Sequence, residues 1–307
     1  MNKKIIFALS TALFLFVIHS PIPLPAQENI SEGLIDIGTH SLYLKTMGRG
    51  TPAVVLDVGL GGSYQEWLPL LRQVSRKTRI AAYDRAGYGR SDSGPFPRDC
   101  VRVADELKKL LDTAEIQGPY ILVGHSLGGL NMQAFALKYP DSTAGLVLLD
   151  PPPLDWVLGK AFPLLKEIYL REAGMLRDMA GTAATSENQD EKRQAAFLRT
   201  LASEHEKLLS GPPLIKKIYQ TRSCGNIPLT IIASGKPNPR FGEDAEAFQK
   251  FWNEQCRALA SKSSRGRYFF APESGHNILR DNPDLVLEVL EKMLSTTTQK
   301  NPPKNRF

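Results

Sequence analysis

The rhythm of hydrophobic and polar residues changes several times along the chain, and each change predicts an element. Residues 33–45 alternate, with Leu34, Ile35, Ile37, Leu42 and Leu44 as apolar positions, which predicts an antiparallel hairpin. Short apolar runs follow at 53–58, 79–83 and 120–123. A strand covered on both faces loses its alternation because neither side meets water, so these runs predict buried parallel strands. Between them, residues 99–115 carry Val103, Leu107, Leu110, Leu111 and Ala114 at three and four spacing, opposite Lys108, Lys109 and Asp112, the pattern of an amphipathic helix. Residues 127–139 predict a helix and 145–149 a strand, after which Asp150 and three prolines stop regular structure. Strand character returns at 228–234 and 267–271, and 283–294 forms a closing amphipathic helix. Strands that alternate with helices require crossovers, so the fold class is α/β, a mostly parallel sheet flanked by helices.

Two regions fall outside that alternation. Over 151–222 the chain holds a strongly apolar helical stretch (Trp156, Phe162, Leu164, Leu165, Ile168, Tyr169, Leu170) and then a polar patch at 185–193, which predicts a helical insertion dividing the core into 27–150 and 223–294. Residues 1–26 begin with Lys3 and Lys4, continue through an uncharged apolar core at 5–18 and end in prolines and Ala26. That order predicts a signal peptide and export to the periplasm or the medium; left uncleaved, it would be an N-terminal anchor and the chain's hold on a membrane. Residues 295–307 are polar and proline-bearing and predict a mobile tail.

Composition changes this picture little. With 307 residues, 42% hydrophobic and 23% charged, the chain can bury one large domain with an insertion. Its formal charge is +6, of which Lys3 and Lys4 contribute two within the expected leader. Acids and bases interleave without an aromatic and basic stripe, so no nucleic-acid partner is expected. Three cysteines, Cys100, Cys224 and Cys256, leave open a Cys224–Cys256 bridge in an oxidising compartment or three unpaired thiols.

The chemistry gathers around 120–129, Tyr-Ile-Leu-Val-Gly-His-Ser-Leu-Gly-Gly, where a serine sits between small residues as a buried strand turns into a helix. Such an elbow forces a strained backbone and pushes Oγ into the open, and Gly124 and Gly128 let strand and helix approach. Ser126 is thus the candidate nucleophile, and a serine needs an imidazole base held by a carboxylate. Of the five histidines, His19 lies in the leader, His40 in the hairpin, His125 beside the nucleophile and His205 in a charged helical stretch. His276, in a loop just after the 267–271 strand, would emerge at the same carboxyl edge of the sheet as Ser126. For the acid, Asp150 ends the strand after the elbow unit, while Asp244 or Glu243 could fold back from the loop after 229–233, where Asn238 stands at the other expected acid position. A tetrahedral intermediate also needs backbone donors. Leu127 N–H supplies one, and Leu60 N–H, or Gly61 N–H, in the glycine loop 57–63 the second. That loop lacks a P-loop lysine and dinucleotide spacing, and no cofactor or metal is expected.

With these residues in place, the chain resembles the α/β-hydrolase superfamily over roughly 34–294. The 83–91 segment Tyr-Asp-Arg-Ala-Gly-Tyr-Gly-Arg-Ser is similar to that family's strand-end turn, and 145–151 to its strand after the nucleophile helix. Phe251-Trp252, Gln255 and residues 274–278 are similar to a subgroup of secreted or membrane-associated members. The resemblance implies an eight-stranded sheet, a helical cap over 151–222, and Ser126 and His276 as nucleophile and base. Val58-Gly59 replaces the usual His-Gly of the oxyanion loop, and Asn238 at the later acid position favours Asp150. A serine nucleophile argues against the family's dehalogenases and epoxide hydrolases. The reading that follows is an exported serine hydrolase of small-molecule carboxylic esters with an apolar part, Trp156, Phe162, Leu164 and Leu165 lining a greasy mouth. Aminopeptidase, thioesterase and carbon-carbon hydrolase chemistry remain alternatives, as does a non-catalytic module binding a small apolar ligand.

Overall fold

The computed structural model describes residues 29–154, 156, 161–209 and 224–298; the expected leader, most of the expected tail and parts of the insertion lie outside the described residues. The alternating segment forms β1 (Ile30–Asp36) and β2 (Ser41–Met47), paired antiparallel with Leu34 opposite Tyr43. The apolar runs form β3 (Val54–Asp57), β4 (Ile80–Tyr83), β5 (Tyr120–His125) and β6 (Thr143–Leu149), and strand character resumes at β7 (Leu229–Ser234) and β8 (Gly266–Ala271). They make one eight-stranded sheet in the order β1-β2-β4-β3-β5-β6-β7-β8. From β4 to β8 every neighbour is parallel, and β2 joins β4 antiparallel.

Period two survives inside the buried strands as a division between two cores. Val55, Ala81, Tyr83, Leu122 and Ile231 face one side of the sheet, and Val54, Leu56, Ile80, Ala82, Ile121 and Val123 the other. The first side is covered by α2 (Cys100–Thr113) and α3 (Leu127–Lys138), through residues such as Leu107, Leu111, Leu130 and Phe135. The second is covered by α1 (Leu68–Val74) and the C-terminal helix, through Leu70, Leu71, Val286 and Leu290. Helix α2 starts where Asp99 accepts hydrogen bonds from the Val101 and Arg102 amides, satisfying donors that a helix start leaves unpaired. Helix α3 is buried from Leu127 through Leu137, which is why it shows no polar face.

Between β6 and β7 the insertion folds as a hairpin of α4 (Pro163–Ala184) and α5 (Gln189–Leu209), packed on each other. The polar patch supplies their turn and the first turn of α5. After β7 come α6 (Ala245–Ala260) and, after β8, α7 (Ile278–Asp281) and α8 (Pro283–Thr298). Helix α8 runs past the expected start of the tail at 295. The hydroxyls of Thr296 and Thr297 donate back to the Met293 carbonyl and Thr297 is buried, so polar residues continue a helix that the pattern alone would end. The three cysteines are unpaired and buried, so Cys224 and Cys256 are separate thiols, each pushed up in pKa by burial. Among the described residues no helix is long and apolar enough to cross a membrane.

Candidate active site

Strand β5 delivers its last residue, His125, to the carboxyl edge of the sheet, and the chain turns at Ser126 with φ 51° and ψ −123° before α3 begins. A serine holds this conformation only where its surroundings enforce it. Two glycines do so: a Cβ on Gly124 would lie 2.4 Å from the Gly128 carbonyl oxygen, and one on Gly128 would lie 2.4 Å from that of Asp57. The Ser126 amide donates to Leu149 O at 2.9 Å, which ties the elbow to the neighbouring strand. Leu127 opens α3, where an amide has no carbonyl partner within its own helix and the helix dipole is positive.

The imidazole of His276 reaches this serine, with Nε2 2.8 Å from Ser126 Oγ and Nδ1 2.6 Å from Asp150 Oδ2. A carboxylate can only accept, so Nδ1 carries the proton and Nε2 accepts from the serine hydroxyl. Asp150 sits just past β6, itself at φ 48°, and is buried, whereas the His276 side chain is 40% exposed and so open to a ligand. Ser234, the last residue of β7, donates its amide to Asp150 Oδ1 and its hydroxyl to Oδ2, each at 2.9 Å. Gln249 on α6 donates in turn to the Ser234 hydroxyl at 3.1 Å. Asp150 is thus the carboxylate on the imidazole. Glu243 is exposed, Asp244 closes a short 3₁₀ turn ahead of α6, and Asn238 begins that turn by accepting from the Arg240 amide.

The His276 loop is held from both sides. Gly235 and Lys236 amides donate to Ser274 O at 3.0 Å, and His125 pairs through Nε2 with the carbonyl of His276 at 2.8 Å. A carbonyl cannot donate, so His125 Nε2 carries its proton. Burial, reinforced by the nearby His276 ring, pushes the His125 pKa down to about 4 and keeps it neutral. His125 therefore does not merely adjoin Ser126 but also fixes the loop that carries His276.

The glycine loop approaches from β3. Gly62 N–H returns to Gly59 O at 3.3 Å around a left-handed Gly61 at φ 75°, the shape of a type II turn. A Cβ on Gly59 would stand 3.4 Å from that of Ser126, so the loop lies against Ser126. Leu60 and Leu127 both line the cavity over Ser126, whereas Gly61 does not. Underneath is Arg85, fully buried and bonded to Asp57 and to Glu204 of α5. Arg85, Glu204, Ser234 and Gln249 were not singled out from the sequence. The charged pair Asp84-Arg85 directly after the apolar run of β4 is the local signal for Arg85; Glu204, on a mixed-charge helix, has none.

The cavity has a volume of about 520 Å³, within the range of small-molecule sites. Trp156, Tyr169, Leu208, Phe241, Phe248 and Trp252 supply its apolar wall, and Lys236, Arg240 and Arg280 its basic groups. Of the four residues expected at a greasy mouth only Trp156 lines it. Phe162, just ahead of α4, packs edge-on against Phe248 and tilted against Phe251 of α6, Leu165 is buried and Leu164 is 63% exposed. Among the described residues no group of three or more His, Cys, Asp or Glu is gathered as a metal would need.

A serine on a strained elbow, bonded through an imidazole to a buried carboxylate at the carboxyl edge of a mostly parallel sheet, defines the class as an α/β hydrolase. The sequence profile of the alpha/beta hydrolase fold matches residues 52–253, and the chain belongs to that family. It is 27% identical over 247 residues to YqjL, an uncharacterized protein of Bacillus subtilis strain 168, covering 80% of this chain and 84% of that one. It is also 27% identical over 311 residues to the probable transporter efuK of Hormonema carpetanum, covering 89% of this chain but only 44% of that much longer protein. Among solved structures, a thermophilic esterase from Thermogutta terrifontis shares the fold with a TM-score of 0.66 at 21% identity, over 87% of this chain and 99% of that one.

Proposed function

We propose that the protein is a serine hydrolase of small carboxylic esters with an apolar acyl or alcohol part, working through an acyl-enzyme. The observation that carries this reading is the continuous path Ser126 Oγ, His276, Asp150, at 2.8 and 2.6 Å, opening on a largely apolar cavity. His276 Nε2 takes the hydroxyl proton as Oγ bonds to the ester carbon. The oxyanion is held by the amides of Leu60 and Leu127, a preorganised donor of this kind being worth about 100 to 1,000-fold in rate. The imidazolium, facing the Asp150 carboxylate, gives its proton to the leaving alkoxide as the carbon–oxygen bond breaks. Water repeats the sequence, losing a proton to Nε2 and releasing the acid and free Ser126.

Fluorophosphonate labelling tests this reading. Wild type should label and hydrolyse short p-nitrophenyl esters, and Ser126→Ala and His276→Ala should do neither. An intact wild type that fails to label, or a Ser126→Ala protein that labels equally, overturns it. A panel of matched esters, thioesters and aminoacyl amides separates ester cleavage from the thioesterase and aminopeptidase alternatives. Export through residues 1–26 is the second part of the proposal, and N-terminal sequencing of protein from the extracytoplasmic fraction tests it.

A further inference from the structure

The buried arginine under the glycine loop is placed to act on the reaction without touching the substrate. Arg85 Nη2 donates to the Gly59 carbonyl at 2.9 Å and Nη1 to the Val58 carbonyl at 2.7 Å. Gly59 C=O and Leu60 N–H belong to one peptide unit, planar and trans, so the two groups point in opposite directions. An arginine that holds the carbonyl therefore aims the amide away from itself, toward the side on which Leu60 lines the cavity with Ser126. A cation on the carbonyl also polarises the peptide and makes its N–H a stronger donor. Within the loop the same Gly59 carbonyl accepts only the longer 3.3 Å bond from Gly62 N–H, so the charged guanidinium at 2.9 Å is the stronger hold on this peptide.

Arg85 is itself held by two carboxylates. Asp57 Oδ1 accepts from Nη1 at 2.7 Å, and Glu204 of α5 accepts from Nε at 2.9 Å and from Nη2 at 3.0 Å. Tyr88 donates to the same Glu204 at 2.7 Å, and Asn131 of the nucleophile helix α3 to Asp57 at 2.8 Å. Arg85, Asp57, Tyr88, Asn131 and Glu204 are all at most 2% exposed. One guanidinium thus joins the glycine loop, the helix behind Ser126 and a helix of the insertion.

We infer that Arg85 is the positioning residue of the oxyanion donor Leu60, and that Glu204 couples the seating of α5 to it, so that the donor is in register only when the insertion is docked. This rests on the serine-hydrolase reading above. Its distinguishing readout is a loss confined to the transition state, because a residue that only stabilises the fold changes melting and not the balance between ground-state and transition-state binding.

The experiment compares wild type with Arg85→Lys, Glu204→Gln and Tyr88→Phe. It measures kcat and KM on a p-nitrophenyl ester, the Ki of a trifluoromethyl ketone whose adduct carries an oxyanion, and thermal unfolding. Lysine keeps the charge but cannot hold two carbonyls and two carboxylates. The expected result for Arg85→Lys and Glu204→Gln is a fall in kcat of about 10-fold or more, up to the 100 to 1,000-fold of a lost donor, a matching rise in ketone Ki and KM within twofold. Tyr88→Phe, which removes only the hydroxyl on Glu204, should fall in the same pattern by about two to fivefold. A folded variant with lower melting but kcat and ketone Ki within twofold of wild type makes the network purely structural and overturns the inference. Should Arg85→Lys not fold, Glu204→Gln and Tyr88→Phe decide it by the same criterion. Wild type that neither labels with fluorophosphonate nor turns over would instead remove the reading on which the inference rests.

Discussion

Replacing Asp150 by asparagine should cost far more than one hydrogen bond. The carboxylate accepts from the Ser234 amide at Oδ1 and from the Ser234 hydroxyl and His276 Nδ1 at Oδ2. An asparagine that keeps its oxygen on the Ser234 amide turns its NH2 toward His276. Nδ1 must then lose its proton, Nε2 gains one, and the imidazole can no longer take a proton from Ser126. The flipped amide preserves the tautomer but sets NH2 against the buried Ser234 N–H, leaving donors unsatisfied at about 1–3 kcal/mol. At about 1.4 kcal/mol per factor of ten, only about one molecule in six to one in 150 would be competent. Those molecules would still lack the carboxylate that faces the imidazolium. Together these losses give an expected fall in kcat of about 1,000 to 10,000-fold with retained folding, the scale seen when a triad carboxylate becomes an amide. Steady-state kinetics on a p-nitrophenyl ester, with circular dichroism melting alongside, check it. Retention of more than a tenth of wild-type kcat, or a larger loss from Asp244→Asn, would refute the reasoning.

Further tests follow from the same site. Ser234→Ala leaves Asp150 its backbone donor but removes the hydroxyl at 2.9 Å, so stability should fall by about 1–2 kcal/mol and kcat severalfold with KM unchanged, as read by urea unfolding and kinetics. His125 is held at a pKa of about 4 by burial, below its ordinary value near 6.5, so the unfolded chain binds its proton first. Its contribution is complete above about pH 6.5 and is lost as pH falls toward 4, by roughly 3 kcal/mol in all, and urea titrations should show a flatter dependence in His125→Gln. In Gly124→Ala the new Cβ would sit 2.4 Å from the Gly128 carbonyl oxygen, forcing β5 and α3 apart, so melting should drop as for an overpacking of about 1–3 kcal/mol and fluorophosphonate labelling should slow. Denatured without reductant, the protein should titrate three thiols with Ellman's reagent; fewer would mean that a pair is bridged.

Much of the framework was legible because local pattern and burial agree in it. The runs at 53–58, 79–83 and 120–123 appear as β3, β4 and β5, since a strand between layers of helices must be apolar on both sides. Ser126 was legible because an elbow needs glycines on its flanks, and His276 because a loop after a parallel strand opens at the same edge as the elbow. The insertion was legible as helix, but not in its facing. Which of Trp156, Phe162, Leu164 and Leu165 meets the cavity depends on how the start of the insertion packs against the aromatic residues of α6, a long-range choice that helical periodicity does not encode.

By itself the sequence determined the alternation of strand and helix, the position of the strained serine and a short set of partners for it, because each depends on neighbours within a few residues. Only the tertiary structure decided between Asp150 and the acids near residue 244, since Asp150 directly follows β6 whereas Asp244 closes a 3₁₀ turn beyond β7, and it is Asp150 that receives the Ser234 donors and the His276 imidazole. It alone brought Arg85 of the β4 turn against Glu204, 119 residues away, beneath the loop of Leu60. A buried ion pair between distant segments has no local pattern. Its cost outside water is met only when folding brings the opposite charge and the hydrogen-bonding carbonyls to the same point.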